Sequence, residues 1–260
     1  MLKMFSIAHD RVAHPLPPSW IEPFAIGDLA KNVPEIAPEI AYRDNLGDDN
    51  IARLHPCFSE LTANYWVWKN LEKTETIGFC HYRRYFNFIE IPQIELSQAV
   101  VKGSPDILRF LTQDEQRERA LKILETSDII ATRQSYNSHT IARQFCDNHP
   151  TYAWEEFVRV VQQVSPPWLS QHLPWLELSY EIRWFPIFIT RWEIFDEYCR
   201  LLFDVLFLVF QRIGTLPLEE GVRFQPRRYP AFLAERFLAL YLHAKGLRVY
   251  GAQLFMIDGA

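Results

Sequence analysis

The chain has 260 residues, of which 48% are hydrophobic and 23% charged, so it can bury a substantial core and lacks the composition of a disordered protein. Its formal net charge of −5 excludes the overall positive field that nucleic-acid-binding proteins carry. The four cysteines form no C-x-x-C pair, so neither a zinc site nor a disulfide framework is indicated. No secretory signal is recognised and no apolar run is long enough to span a bilayer. We therefore expect one cytoplasmic domain over residues 1–260.

The spacing of apolar residues predicts alternating strands and helices. The predicted strands cover 5–8, 24–27, 76–80, 128–132, 184–190 and 247–250. The predicted helices cover 59–71, 113–125, 139–145, 153–164, 192–213 and 231–243. Ser59 is the expected N-cap of the first helix, and loops are predicted over 13–19 and 31–50. This alternation is typical of an α/β fold with a mainly parallel central sheet and flanking helices.

A basic and aromatic segment follows the strand predicted at 76–80. It contains His81, Tyr82, Arg83 and Arg84, just beyond the carboxyl end of a buried strand, where ligands bind in open α/β sheets. Adjacent arginines suit phosphate oxygens, and tyrosine rings can stack on a ligand. The alternative is that the arginines pair with surface carboxylates while the tyrosines pack in the core. The segment alone leaves both interpretations open.

Other polar residues are candidates on weaker grounds. Asp49 and Asn50 end the long predicted loop, where they can bind sugar hydroxyls or simply form an Asx turn. Glu60 lies in the first turn of a predicted helix, which the helix dipole favours with or without a ligand. Glu235 and Arg236 lie on the last predicted helix. Periodicity favours a solvated position for this pair, and the functional alternative is a general base in a pocket wall.

Several familiar motifs are missing from the sequence. It contains no G-x-x-x-x-G-K-[ST] loop, no G-x-G-x-x-G turn, no H-E-x-x-H and no G-x-S-x-G. No predicted strand ends in an Asp-x-Asp pair, which would hold a divalent metal on a diphosphate. We therefore assign no metal ligands.

Two segments carry a resemblance to a known family. Residues 59–70 read SELTANYWVWKN and residues 77–86 read IGFCHYRRYF. Together they resemble the signature of a bacterial capsular polysaccharide and O-antigen biosynthesis family, whose domains are glycosyltransferase-like and whose characterised type transfers galactofuranose from a UDP-sugar. Shorter matches span nearly the whole chain, at 49–51, 188–189, 195–198 and 232–236.

The resemblance implies a GT-A-like nucleotide-sugar-binding fold. It implies transfer of a sugar from a nucleotide-diphosphate donor, such as UDP-galactofuranose, to a growing surface polysaccharide or lipid-linked glycan. It also implies Glu235 as the catalytic base, with Asp49 second. The donor-binding residues that it implies are His81, Tyr82, Arg83, Arg84, Asn50, Glu60 and Arg236.

These implied roles lead to expectations about metal dependence, location and the competing functions. Because cationic side chains occupy the place of an Asp-x-Asp pair, we expect metal dependence to be weak or absent, with Mn²⁺ or Mg²⁺ as the alternative. A lipid-linked acceptor would bring the protein to the inner face of the membrane. The competing function is a non-catalytic nucleotide-sugar- or glycan-binding module of a polysaccharide assembly complex. RNA binding is the least favoured, since the chain is acidic.

Overall fold

A β-sheet with helices on both faces organises the chain. The computed structural model describes residues 1–9, 19–36, 40–88, 99–103, 106–222 and 225–257. The strands are β1 (Leu2–Ala8), β2 (Ile21–Ala25), β3 (Tyr42–Arg43), β4 (Thr76–His81), β5 (Arg84–Asn87), β6 (Val100–Gly103), β7 (Ile129–Thr132), β8 (Ser135–Tyr136), β9 (Glu181–Ile182), β10 (Phe188–Arg191) and β11 (Val249–Ile257).

The helices occupy the intervals between the strands. They are α1 (Gly27–Ile36), α2 (His55–Phe58), α3 (Leu61–Asn70), α4 (Ile107–Leu111), α5 (Asp114–Thr126), α6 (Ile141–Cys146), α7 (Thr151–Val164), α8 (Pro167–Ser170), α9 (Leu173–Leu178), α10 (Trp192–Ile213) and α11 (Tyr229–Lys245). Short 3₁₀ turns precede α2 and α11, at Ala52–Leu54 and Pro226–Arg228.

The sheet is mixed. Within the described residues it has nine strands, and β8 and β9 pair separately. Strands β3, β2, β1 and β4 form a wholly parallel half, in that order. Beyond β4, strand β10 is antiparallel to both β4 and β7, and β11 is parallel to β6 and β7 but antiparallel to β5. The prediction of a mainly parallel sheet is therefore wrong, because β10 inserts antiparallel and a two-residue turn joins β4 to β5.

Several predicted elements are present and others are not. The helix predicted at 192–213 is confirmed as α10. The loop predicted at 31–50 is wrong in its first part, because α1 ends only at Ile36. The last helix begins at Tyr229, two residues earlier than predicted. The proline-rich loop predicted at 13–19 lies, apart from Ser19, outside the described residues.

Alternate residues of the central strands pack into different cores. On β1, Phe5 and Ile7 join a large core with α3, α7, α10 and α11, whereas Met4 joins a second core with α4 and α5. This is the period of two expected of a strand buried on both faces. In the part of the chain that the structure describes, no helix is long and apolar enough to cross a membrane.

We predict that Gly78→Ala destabilises the protein. A Cβ at Gly78 would lie 2.4 Å from Sδ of Met4 and 2.9 Å from Cγ1 of Ile189, on the neighbouring strand. Overpacking of this kind costs about 1–3 kcal/mol in the free energy of unfolding, measurable by urea denaturation. Gly103→Ala is the milder comparison, since its Cβ would meet the Ile257 and Phe255 side chains at 3.2 Å, a tight contact but not an overlap. Equal denaturation midpoints for the two variants would contradict the prediction.

Candidate active site

The basic segment after β4 is a tight turn. Strand β4 ends at His81, Tyr82 and Arg83 form the turn, and Arg84 begins β5 opposite His81. Arg84 Nη1 donates a hydrogen bond to His81 Nδ1 at 3.2 Å, and the Arg84 guanidinium lies 4.1 Å from the centre of the Phe185 ring. Since arginine can only donate, neutral His81 carries its proton on Nε2. That atom is buried and has no hydrogen-bond partner among the described residues.

The residue before Glu60 has an unusual backbone conformation. Ser59 has φ +49°, in the left-handed region, which costs a non-glycine residue about 1–3 kcal/mol. Its hydroxyl accepts a hydrogen bond from Arg228 Nε at 2.9 Å and does not cap α3, so the predicted N-cap role is wrong. The next residue, Glu60, has its carboxylate 3.8 Å from His81 Nδ1 and 4.0 Å from Arg228 Nη2.

Arg236 is buried and Glu235 is largely covered, with 1% and 12% of their side chains exposed. Arg236 Nη1 donates to Glu235 Oε2 at 2.7 Å and to the Phe232 carbonyl at 3.0 Å. Its Nη2 donates to Oε1 of Gln144 on α6. The solvated position that periodicity favoured is therefore wrong. Helix α11 is buried on nearly every side, so its apolar pattern does not separate an inner from an outer face.

The environment moves the pKa values of these groups in different directions. Burial raises the pKa of Glu60, but His81 and Arg228 outweigh that effect and hold the value at about 2. Burial lowers the pKa of His81 to about 4, although Glu60 opposes the change. Burial also raises the pKa of Glu235 above its ordinary value, against the opposing effect of Arg236. At neutral pH Glu60 is ionised and His81 is neutral, and Glu235 is the stronger base of the two carboxylates.

These side chains line a cavity of about 430 Å³, which we call the α11 cavity. Two carboxylates, three arginines and two histidines reach it, beside aromatic and amide side chains. Its lining residues are Glu60, Leu61, His81, Arg84, Gln144, Asn148, His149, Trp184, Phe185, Pro186, Arg228, Ala231, Phe232, Glu235, Arg236 and Met256.

A second cavity, of about 590 Å³, adjoins the first and shares Glu60 and Arg228 with it. We call it the α1 cavity, because the N-terminal turn of α1 lines it. It lies at the carboxyl ends of three parallel strands: His9 follows β1, Gly27 follows β2 and Asn45 follows β3. This is the edge at which open α/β sheets bind ligands.

The α1 cavity is rich in positive charge. Besides Arg228, it is lined by Lys31, Arg53 and Arg227, although Lys31 pairs with Asp28 at 2.7 Å. The dipole of α1 also favours an anion at its first turn, which carries the Asp28 carboxylate.

A glycine is required where the chain enters α1. Gly27 has φ +61°, and a Cβ there would lie 2.4 Å from the His55 ring. Its N–H donates to Oδ2 of buried Asp44 at 3.3 Å, and the Thr62 hydroxyl donates to the same oxygen at 2.7 Å. Asp44 thus joins the start of α1 to α3.

The structure does not bring Asp49 and Asn50 to either cavity. Asp49 is exposed and accepts a hydrogen bond from the Tyr65 hydroxyl at 2.9 Å. The Asn50 side chain accepts from the Ala52 N–H at 3.1 Å and donates to the Gly47 carbonyl at 2.7 Å. These contacts are those of the Asx turn that the sequence left open as an alternative.

Tyr82 and Arg83 also lie outside the residues that line the two cavities. The Tyr82 ring lies 5.6 Å from the His9 ring, and the Arg83 guanidinium lies 5.1 Å from the Tyr82 ring. Of the predicted site residues, the structure therefore gathers Glu60, His81, Arg84, Glu235 and Arg236 in one cavity.

Sequence reasoning missed several lining residues. In the sequence, Arg228 is distinguished only by its neighbour Arg227, and nothing in the pattern singles out His149 or Trp184. Phe185 has φ +68°, a conformation that depends on the surrounding structure. Among the described residues, no group of three or more His, Cys, Asp or Glu side chains is placed to hold a metal ion.

The chain is similar to a solved structure and matches a family model. No curated protein matches the chain. A solved structure described as the WbbM bifunctional glycosyltransferase in its apo form has the same fold, with a TM-score of 0.80 over 99% of this chain at 23% sequence identity. The chain covers 45% of the length of that protein. A family model described as "Domain of unknown function (DUF4422)" matches residues 3–246. The chain shares its fold with the matched part of that structure, and it belongs to the DUF4422 family.

Proposed function

We propose that the protein is a glycosyltransferase that moves a sugar from a nucleotide-diphosphate donor to a hydroxyl group of a glycan acceptor. The observation that carries this proposal is the α11 cavity itself. It combines a largely covered carboxylate of raised pKa, Glu235, with arginine side chains, and it opens beside a cation-lined cavity at the carboxyl ends of parallel strands. Transfer with inversion of configuration requires a base for the acceptor hydroxyl, and the departing diphosphate requires positive charge.

The α1 cavity suits the nucleoside diphosphate. Its arginines offer donors to phosphate oxygens, and the dipole of α1 favours negative charge at its first turn. Arg228 lines both cavities and is held by its hydrogen bond to Ser59. A diphosphate beside Arg228 would place the bond to the sugar at the junction, so that the sugar enters the α11 cavity.

The α11 cavity suits the chemical step. The bond between the sugar C1 and the phosphate oxygen breaks, leaving negative charge on the diphosphate, and the acceptor oxygen forms a bond to C1. We propose that Arg84, Arg228 and the Nε2–H of His81 stabilise the departing charge. Glu235 then takes the proton of the acceptor hydroxyl. Arg236 holds the Glu235 carboxylate in place through its hydrogen bond at 2.7 Å.

We also propose which donor and which acceptor the protein uses. UDP-sugars, UDP-galactofuranose among them, are the donors to test first, and a growing surface polysaccharide or lipid-linked glycan is the proposed acceptor. A cytoplasmic location at the inner face of the membrane and the single-domain organisation remain predictions.

The first experiment is a thermal-shift screen against UDP-, GDP- and dTDP-sugars. A ligand at a hundred times its Kd adds about 2.7 kcal/mol of apparent stability, and no shift with any of them would count against the proposal.

We predict that Glu235→Gln abolishes transfer and keeps donor binding. Glutamine preserves the shape and the hydrogen bond from Arg236 but cannot accept a proton, so the transfer rate should fall at least ~10²-fold while UDP-induced stabilisation is unchanged. Asp49→Asn is the matched control, since Asp49 lines neither cavity. Near-normal turnover in Glu235→Gln, with loss of turnover in Asp49→Asn, would transfer the base role to Asp49.

We predict that Arg84→Ala is far more damaging than Arg83→Ala. Removing one donor to developing charge costs ~10²–10³ in rate, whereas Arg83 lies on the turn and lines neither cavity. The measurement is kcat for donor hydrolysis and transfer, with and without EDTA. Equal losses in the two variants would refute the assignment. Loss of activity in EDTA with recovery in Mn²⁺ would show that a metal ion, and not the arginines, stabilises the departing diphosphate.

The rate of transfer should rise with pH through the raised pKa of Glu235. Below that pKa the carboxyl is protonated and cannot accept a proton, and above it the rate should level off. Glu60, whose pKa is about 2, stays ionised throughout this range. The measurement is the pH profile of kcat, with Asp49→Asn as the control. An acid limb at or below the ordinary glutamate value, about 4.3, would contradict the role of Glu235.

A further inference from the structure

His149 lies in the α11 cavity and is unused by the steps above. It belongs to the segment between α6 and α7 and is only 5% exposed. Neither of its ring nitrogens has a hydrogen-bond partner among the described residues. Buried polar atoms are nearly always paired, so two unpaired nitrogens on one ring that lines a cavity point to a ligand.

The imidazole is held in a fixed place. Its ring lies 4.3 Å from the Phe232 ring and 5.0 Å from the Phe145 ring. Phe232 precedes Glu235 by one turn of α11, so the imidazole and the proposed base line the same cavity. Contact with these two aromatic rings holds the imidazole at the wall of the cavity.

The charge state of His149 selects the kind of ligand. Burial lowers its pKa to about 3, and Arg236 and Arg228 lower it further in the same direction. A neutral imidazole offers one N–H donor and one acceptor nitrogen in different directions, and hydroxyl groups, which both donate and accept, can pair with either. A phosphate, which only accepts, would leave the second nitrogen unpaired.

The neighbouring side chains suit a polyhydroxylated ring. Gln144 and Asn148 line the cavity beside His149, and Asn148 is fixed by donating to the Gln144 carbonyl at 2.8 Å. Trp184 adds an aromatic face, of the kind on which the apolar face of a sugar ring packs. His149 lines the α11 cavity and is not among the residues of the α1 cavity, where the cations lie.

We propose that His149 binds a hydroxyl group of the acceptor sugar and so helps to set acceptor specificity. This inference rests on the proposed function, which places the donor diphosphate in the α1 cavity and the acceptor beside Glu235. His149 is a binding residue for the acceptor, distinct from the base and from the groups that stabilise the leaving diphosphate.

The test measures acceptor-side binding in the presence of UDP. Saturation-transfer NMR would be recorded with methyl glycosides of galactose, glucose, mannose, rhamnose and N-acetylglucosamine. The variants are His149→Phe, which keeps an aromatic ring but loses both nitrogens, and His149→Asn, which keeps a donor and an acceptor. His172→Phe is the matched control, because His172 lines neither cavity. His149→Leu is a second apolar variant should the phenylalanine variant fail to fold.

We expect at least one glycoside to bind the wild type and His172→Phe, to lose about tenfold or more in affinity with His149→Phe, and to lose less with His149→Asn. Thermal stabilisation by UDP should be the same in all variants. Unchanged glycoside binding in His149→Phe would overturn the inference, as would equal losses in the phenylalanine and asparagine variants or a wild type that binds no glycoside. Absence of stabilisation by UDP-, GDP- and dTDP-sugars alike in the wild type would instead overturn the proposed function.

Discussion

The site depends on a carboxylate and a guanidinium that are both withdrawn from water on the same turn of α11. Burying Arg236 at 1% exposure is costly unless its donors are paired. Glu235, the Phe232 carbonyl and the Gln144 side chain pair its two terminal nitrogens, whereas its Nε has no partner among the described residues. The same contacts tie α11 to α6, so the helix that carries Glu235 and the segment that carries His149 are fixed to each other. Breaking the pair on either side would leave a buried charge without a partner.

The mixed sheet determines where this helix can meet the strands. In the parallel half, β1, β2 and β3 end at one edge, and the α1 cavity forms there. Strand β4 ends at the same edge, but its chain turns back at once through Tyr82 and Arg83 into β5. A crossover helix would have carried Arg84 away from this edge. The tight turn instead returns it beside His81, facing α11, so the departure from a parallel sheet is what completes the site.

The sequence was most informative where a single physical effect decides the structure. Helix α10 was predictable because its 22 residues have an apolar content that only a core helix sustains. The basic turn after β4 was predictable from its position beyond a buried strand. Periodicity did not show that Glu235 lies in a cavity, because α11 is buried on nearly every side and its pattern does not indicate a direction; only the family resemblance pointed to this residue. The mixed sheet was not predictable either, because the sequence pattern of a strand does not show whether the neighbouring strand runs parallel or antiparallel to it. His149 became visible only through its unpaired nitrogens, a tertiary property.

The distribution of charge gives the strongest reason to regard the two cavities as one anion-directed site. The chain as a whole carries a net charge of −5. Leaving the histidines aside, the cavities together are lined by six cations and three carboxylates, which are Lys31, Arg53, Arg84, Arg227, Arg228 and Arg236 against Asp28, Glu60 and Glu235. Positive charge is therefore concentrated at the strand edge of an acidic protein. A cleft with such a balance focuses the field and attracts an anionic ligand, whereas the acidic remainder of the surface repels extended polyanions. A small diphosphate fits this distribution, and a nucleic acid does not.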